Sequence, residues 1–351
     1  MKQTTVAVVR SDFHEKHSSS WGTEWIQACE DMGLNCSLID WRSLGAFERL
    51  ASHDIVLWHF SHYSADEMRF ARPILAALKL RGCTVFPDAA DADHFDDKVA
   101  QAYLLQALGL DTPKNYTLHS RKAVEDWIDD VGVFPVVAKL RAGSGSSNVQ
   151  LVKSKEQLLG YAKRMFGSGF RSRPGALFKI KSNLSSSRSM TDIMKRLRRA
   201  PEFLFSWLNA GNLPRENGYV YLQEFIPGVD YDLKIVVVGG KLSYICRAVR
   251  AGDFRASGGG NLYYDRAMVT PQIVAAAFKA AAALKSDCTG FDMIIDPRDG
   301  RAVILEVSYG FSHTALMAAG EYCDRNGRWT RKPLNAPRAL LKALLDRVEG
   351  A

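Results

Sequence analysis

FPVVAKLRAGSGSSNVQLV, residues 134–152, decides how the rest of the chain is read. Its first part reads as a β-strand ending at Lys139, a loop of small residues follows, and a second strand resumes at Val149. Gly143, Ser144, Gly145, Ser146 and Ser147 carry little side chain to obstruct a ligand, and backbone N–H groups in such a loop can converge on phosphate oxygens. Two features exclude the commoner phosphate loop: no Gly-Lys-Ser/Thr ending follows, and the next segment alternates like a strand instead of opening a helix. The stretch therefore reads as a hairpin flap with Lys139 at its base. An ordinary hairpin with glycines in its turn accounts for the same residues equally well, so the flap needs support from elsewhere.

Around this stretch lies a chain of 351 residues, enough for two or three domains of about 100–200 residues each. With 47% hydrophobic and 24% charged residues the composition is that of a globular protein able to bury real cores. No run approaches the roughly 18 apolar residues that span a bilayer, and MKQTTVAVVR passes directly into a strand, so a cytoplasmic protein is the expectation. The six cysteines (Cys29, Cys36, Cys83, Cys246, Cys288, Cys323) form no C-x-x-C pair, which favours reduced, mostly buried thiols over zinc or a disulfide frame. The net charge of +8 is local. Between Phe170 and Arg215, seven arginines and three lysines face only Asp192 and Glu202, an excess that equals the charge of the whole chain.

Residues 1–88 alternate strand-like runs (TVAVV, NCSLID, DIVLWHF, CTVFPD) with helical patterns near Gly22–Met32 and Ala65–Leu80, which favours a mainly parallel sheet. No G-x-G-x-x-G follows the first strand, so nothing announces a dinucleotide site. His53, His59 and His62 lie close in sequence, but strand alternation and the missing carboxylate suit hydrogen-bonded imidazoles better than a metal. From Asp96 a helix is signalled by an Asp cap, apolar residues at helical spacing and Gly109 at its end. Lys98, in its first turn, opposes the helix dipole, so it is either an indifferent surface lysine or one held for an anion. Further on, Asp230, Asp232 and Lys234 share one strand face, and Arg247 and Arg255 follow on strand and loop. In GFDMIIDPRDGRAVILEVS two apolar strands flank a turn. Pairing Asp296 with Ala302 sets Asp292 opposite Glu306, with Ser308 one step along the same face. Opposed carboxylates need neutralising, and a magnesium ion bridged by both would do so.

Four motifs in this order resemble the ATP-grasp superfamily, and within it the RimK-like carboxylate–amine ligases: the D-K helix start, the V-V-A-K strand with its small-residue loop, L-Q-E-F-I followed by D-x-D-L-K-x-V-V-V-G, and the G-F-D … L-E-V-S hairpin. The resemblance runs from Asp96 to Ser308, apart from the basic segment. It implies an α/β protein with an N-terminal Rossmann-like parallel-sheet domain (1–88) and an α+β ATP-grasp domain (89–351) holding nucleotide between two antiparallel sheets. Within the latter, 89–168 would be the small lobe, 169–216 a basic insertion and 217–351 the large lobe. Lys98 and Lys139 match the lysines that hold the nucleotide phosphates, and Gly143–Ser147 the loop that closes over them. Gln223, Glu224, Phe225 and Ile226 match the connector that reads adenine through its backbone, and Asp230 or Asp232 the ribose carboxylate. Arg247 and Arg255 would face phosphate and acyl substrate, and Lys234 stands where arginine is usual. Asp292 and Glu306 match the magnesium carboxylates, so ATP with one or two Mg2+ ions is implied. Two departures stand out: Ser308 replaces the usual asparagine, and Ser257 stands where relatives have asparagine.

The reaction the resemblance implies is amide formation: a carboxylate attacks the γ-phosphate of ATP, and an amine then displaces phosphate from the acyl phosphate. The partners implied are a small-molecule, peptide or uronic acid-bearing glycan carboxylate and an amino acid. Two other readings stand beside it: a nucleotide-binding protein that has lost ligation, motivated by Ser308, and a tether acting through the basic segment. Residues 171–215, with Phe203, Leu204, Phe205, Trp207 and Leu208 beside their cations, suit peripheral contact at the inner face of a membrane better than nucleic acid. A solvated insertion packing on its own domain is the simpler alternative. A homodimer is left open.

Overall fold

The computed structural model describes residues 3–11, 20–62, 64–143, 148–171, 215–249 and 262–350. The flap tip Ser144–Ser147, Arg255, Ser257 and the basic segment between Arg171 and Arg215 lie outside the described residues.

The N-terminal unit is a parallel sheet of β1 (Thr5–Val9), β2 (Asn35–Ile39), β3 (Ile55–Leu57) and β4 (Thr84–Phe86) in the order β2-β1-β3-β4. Helices α1 (Trp21–Asp31), α2 (Ala46–Ala51) and α3 (Ala65–Leu80) make the crossovers. Val6–Val9 and all of β3 are buried, the pattern of strands covered on both faces. The short helix α2 is the element the periodicity did not signal.

After α4 (Ala89–His94) and α5 (Lys98–Ala107), the chain builds β5 (Asn115–Leu118), α6 (Arg121–Asp130), β6 (Val136–Lys139), β7 (Val149–Val152) and α7 (Lys155–Met165). Two short strands, β8 (Phe170–Arg171) and β9 (Arg215–Glu216), then pair across the basic segment, with Arg171 opposite Arg215. Next comes β10 (Val220–Glu224), which inserts between β5 and β6 to give an antiparallel sheet in the order β5-β10-β6-β7. β10 lies in the middle of this sheet, where its apolar face completes the core formed by Val136, Ala138 and Leu158.

The remaining chain forms a larger antiparallel sheet from β11 (Tyr231–Val238), β12 (Lys241–Ala248), β13 (Leu262–Tyr263), β14 (Cys288–Ile295), β15 (Ala302–Ser308), β16 (Tyr322–Asp324) and β17 (Trp329–Thr330). Helix α8 (Pro271–Leu284) covers one face, and α10 (Ala336–Glu349), which follows the short α9 (His313–Met317), covers the other. The N-terminal sheet shares that second core: Trp25 Nε1 donates to Pro337 O at 3.0 Å and Trp21 Nε1 to Phe311 O at 3.3 Å. The small lobe keeps a core of its own. All six cysteines are free thiols. Among the described residues no helix is long and apolar enough to cross a membrane.

Candidate active site

The site forms where the start of α5, the root of the flap and four strands of the large sheet, β11, β12, β14 and β15, meet. Asp97 caps α5, its side chain accepting from Ala100 N at 3.0 Å, and Lys98 is the first helical residue. Just before it Asp96 adopts a left-handed backbone, φ 52°, a conformation uncommon outside glycine and asparagine. This reversal lets Asp96 Oδ1 accept from Gly143 N at 3.0 Å while Lys98 Nζ donates to Gly143 O at 2.7 Å. Lys98 N donates to Arg141 O at 2.9 Å, and Arg141 pairs with Asp97 at 3.0 Å. The flap root is thus fixed to the helix start by Asp96, Asp97 and Lys98 together.

Lys98 Nζ also lies 3.5 Å from Glu306 Oε1. Burial works against its charge, but Glu306 and Asp96 outweigh burial and raise the ammonium above its usual range. Asp96 is pushed up to about 6 by burial, against the pull of Lys98. Lys139, at the end of β6, pairs in register with Tyr221, and its Nζ donates to Gln223 Oε1 at 2.6 Å. The Gln223 amide in turn donates to Asn115 Oδ1 at 3.0 Å, where Tyr221 OH also donates at 2.8 Å. Burial pushes Lys139 down to about 8, with Glu306 pulling the other way.

On the large sheet the register sets opposite charges across from one another: Lys234 faces Asp292, and Asp232 faces Arg247. Lys234 Nζ contacts Asp292 Oδ1, Arg247 Nη2 lies 2.9 Å from Asp292 Oδ2, and Arg247 Nε pairs with Asp232. Burial penalises Asp292, but Arg247 and Lys234 outweigh it and hold the carboxyl well below the usual range. Asp232 is pushed up to about 6, burial prevailing over Arg247. Asp292 does face Glu306, but by a different route from the one expected. Ile295, not Asp296, pairs with Ala302, and a β-bulge between the Met293–Ile304 and Asp292–Glu306 pairs restores the alignment of the carboxylates. Beside the bulge, on the outer edge of β15, Ile304 N donates to Asp111 O at 2.9 Å. Ser308 stands opposite Gly290.

Other expected residues sit apart from this cluster. Glu224 receives Arg298 Nη1 at 2.6 Å and Lys114 N at 3.2 Å, which ties β10 to the β14–β15 turn. Ile226 is buried in a small cluster with Ile294 and Val303. Asp230 is exposed, whereas Asp232 is buried under Arg247, so of these two carboxylates Asp230 is the accessible one. Phe225 follows at the end of β10 and is half-buried. His59 stacks on Trp21 at 4.6 Å, and among the described residues no three His, Cys, Asp or Glu side chains are arranged to hold a metal.

The opposed pair fits one magnesium ion. Glu306 is 28% exposed and lies 3.5 Å from Lys98, and Asp292 stands opposite it in the ladder, a carboxylate pair of the kind that takes magnesium together with phosphate oxygens.

No family model matches the chain. It is 23% identical over 238 residues to the ribosomal protein bS6–L-glutamate ligase of Escherichia coli O139:H28, an alignment covering 67% of this chain and 63% of that protein. It is 23% identical over 268 residues to a probable alpha-L-glutamate ligase of Serratia proteamaculans, covering 74% of this chain and 73% of that one. Among solved structures, D-alanine–D-alanine ligase from Bacillus anthracis complexed with ATP superposes over 100% of both chains with a TM-score of 0.59 at 16% identity. The RimK domain ATP-grasp protein from Sphaerobacter thermophilus covers 97% of this chain and 100% of its own, with a TM-score of 0.52 at 15% identity. The chain has the ATP-grasp fold of these structures and is similar in sequence to RimK-like glutamate ligases.

Four polar residues of this ATP-grasp protein escaped sequence reading as parts of the site: Asp96, Gln101, Asn115 and Tyr221. Gln101, buried one turn after Lys98, makes a two-way bond with the Val307 backbone, Nε2 donating to O at 2.8 Å and Oε1 accepting from N at 3.1 Å. It thereby holds α5 against the strand that carries Glu306. The usable signal was helical spacing, since Gln101 follows Lys98 by three positions and so shares its face.

Proposed function

We propose that the protein is an ATP-dependent carboxylate–amine ligase that forms an amide through an acyl phosphate, releasing ADP and phosphate. The observation that carries this reading is the carboxylate pair Asp292–Glu306, ringed by Lys98, Lys139, Lys234 and Arg247 beneath the flap root. A carboxylate and a triphosphate repel each other, so the chemistry needs charge neutralisation and positioning more than a dedicated nucleophile. Lys98 and Lys139 would neutralise the phosphates, and Asp292 and Glu306 would hold a magnesium ion that adds to that neutralisation. The backbone at Gly143, with Ser144–Ser147, would close over the phosphates and keep water from the acyl phosphate. Arg255 would steady the acyl substrate, and Arg247, tied to Asp232 and Asp292, would set the carboxylate clamp. The connector from Gln223 to Ile226 would read adenine through its backbone, and Asp230 the ribose.

The N-terminal unit and the large lobe share one core, so we divide the chain into that body and a small lobe that includes β10, with the basic insertion between β8 and β9. The curated relatives are named as glutamate ligases, which favours L-glutamate as the amine. The chain aligns with only 63% of the length of the first of them, so the acceptor is argued from this chain alone. The ten cations between Phe170 and Arg215 favour an acidic acceptor, a peptide or a uronic acid-bearing glycan, the latter held at the inner face of a membrane. Incubation with ATP, magnesium, L-glutamate and a panel of acidic acceptors tests this: ADP should form only when acid and amine are both present. A second reading, nucleotide binding without ligation, draws on Ser308, whose hydroxyl accepts from Gly310 N at 3.0 Å. Tight calorimetric binding of ATP with no amide from a broad panel would favour it.

A further inference from the structure

We infer that the site takes one divalent cation with each bound nucleotide, not two, and that Lys234 and Arg247 supply from the chain the charge a second ion would bring. This rests on the nucleotide-dependent reading above and sharpens it. Ser308, the residue in line to complete a second ion's ligands, is already engaged within its own turn: its Oγ accepts from Gly310 N at 3.0 Å. That turn cannot easily open. A Cβ at Gly310 would lie 3.0 Å from the Phe95 ring, Tyr309 stacks on Phe95 with centroids 4.2 Å apart, and Phe311 sits edge-on to Trp21 at 5.2 Å. A serine oxygen is also one bond closer to its backbone than an asparagine oxygen, so it could not reach outward without releasing these contacts.

Asp292 is equally committed. One of its oxygens meets Lys234 and the other meets Arg247 at 2.9 Å, so Glu306, which meets Lys98 at 3.5 Å, is the more open carboxylate of the pair. Around the clamp the four cations Lys98, Lys139, Lys234 and Arg247 match the four carboxylates Asp96, Asp232, Asp292 and Glu306. One ion arriving with the nucleotide is compatible with that balance, because the nucleotide brings the anionic charge that holds it. A second would have to displace Lys234 or Arg247 from Asp292 and strand a buried cation, which is strongly unfavourable.

The test is a count of bound Mn2+ by electron paramagnetic resonance on the full chain, saturated with a non-hydrolysable ATP analogue. One ion per chain is expected. The double variant Lys234→Met/Ser308→Asn, which frees an Asp292 oxygen and supplies a longer ligand, is expected to bind two. Two ions in the wild-type protein would overturn the inference, as would a double variant that folds, binds nucleotide and still holds one. Nucleotide bound with no protein-held Mn2+ would instead overturn the metal clamp on which the proposed function depends.

Discussion

Lys139 carries a sharp electrostatic conflict, a buried ammonium whose described side-chain partner, Gln223, is neutral. Burial pushes it from 10.5 to about 8. Between those values the unfolded chain holds a proton that the folded chain has released, so this group makes the apoprotein more stable as pH rises through that window. A bound polyphosphate favours the charged form. Nucleotide binding should therefore take up a proton above about pH 8, and ATP affinity should fall as pH rises, by up to about tenfold per pH unit. Calorimetry in buffers of differing ionisation enthalpy would detect the uptake. Lys139→Met is expected to lower ATP affinity at least about 100-fold while stabilising the apoprotein by about 1–3 kcal/mol in urea unfolding, because it removes a charge that burial penalises. At Glu306, replacement by glutamine should abolish turnover and also lower stability, since it removes a counter-charge from the buried Lys98.

At the scale of elements, the positions of Lys98 and Glu306 depend on how α5 meets β15, and Gln101 is the bolt. Gln101→Leu leaves the Val307 N–H and C=O without their partner in a buried setting, at a cost of about 2–4 kcal/mol. It should also weaken nucleotide binding, read by calorimetry, although Gln101 would not touch the nucleotide. Residues such as this explain how far the sequence could be read. The four N-terminal strands, helices α1, α3 and α5, and the D-K, V-V-A-K and L-E-V motifs were legible because each is carried by local periodicity or spacing. Gln101 was not, since its partner lies 206 residues away, and neither was Asp96, whose bond to Gly143 spans 47. The β14–β15 register was legible only by compensation. The expected pairing of Asp296 with Ala302 is one residue off, and the bulge that corrects it lies beside Ile304, whose N–H bonds to Asp111 O, a contact no local pattern announces. The same holds for β10, whose place between β5 and β6 is decided by packing across the small lobe.

The whole molecule joins the carboxylate clamp to a chain whose strongly basic segment starts and ends at paired strands, Arg171 lying opposite Arg215. Since the ends are already paired, replacing residues 172–214 with a short glycine-serine linker should leave the melting temperature and ATP affinity nearly unchanged. Turnover of an acidic macromolecular acceptor should be lost. Retained turnover of that acceptor would remove the insertion from substrate recognition. The central claim is that the clamp activates a carboxylate as an acyl phosphate, and trapping with hydroxylamine tests it most directly. The protein is incubated with ATP, magnesium and a panel of acidic acceptors, hydroxylamine replaces the amine, and products are read by mass spectrometry. ADP and a hydroxamate of one acceptor are expected, both absent in Glu306→Gln. Tight ATP binding with neither ADP nor hydroxamate across the panel would contradict the account.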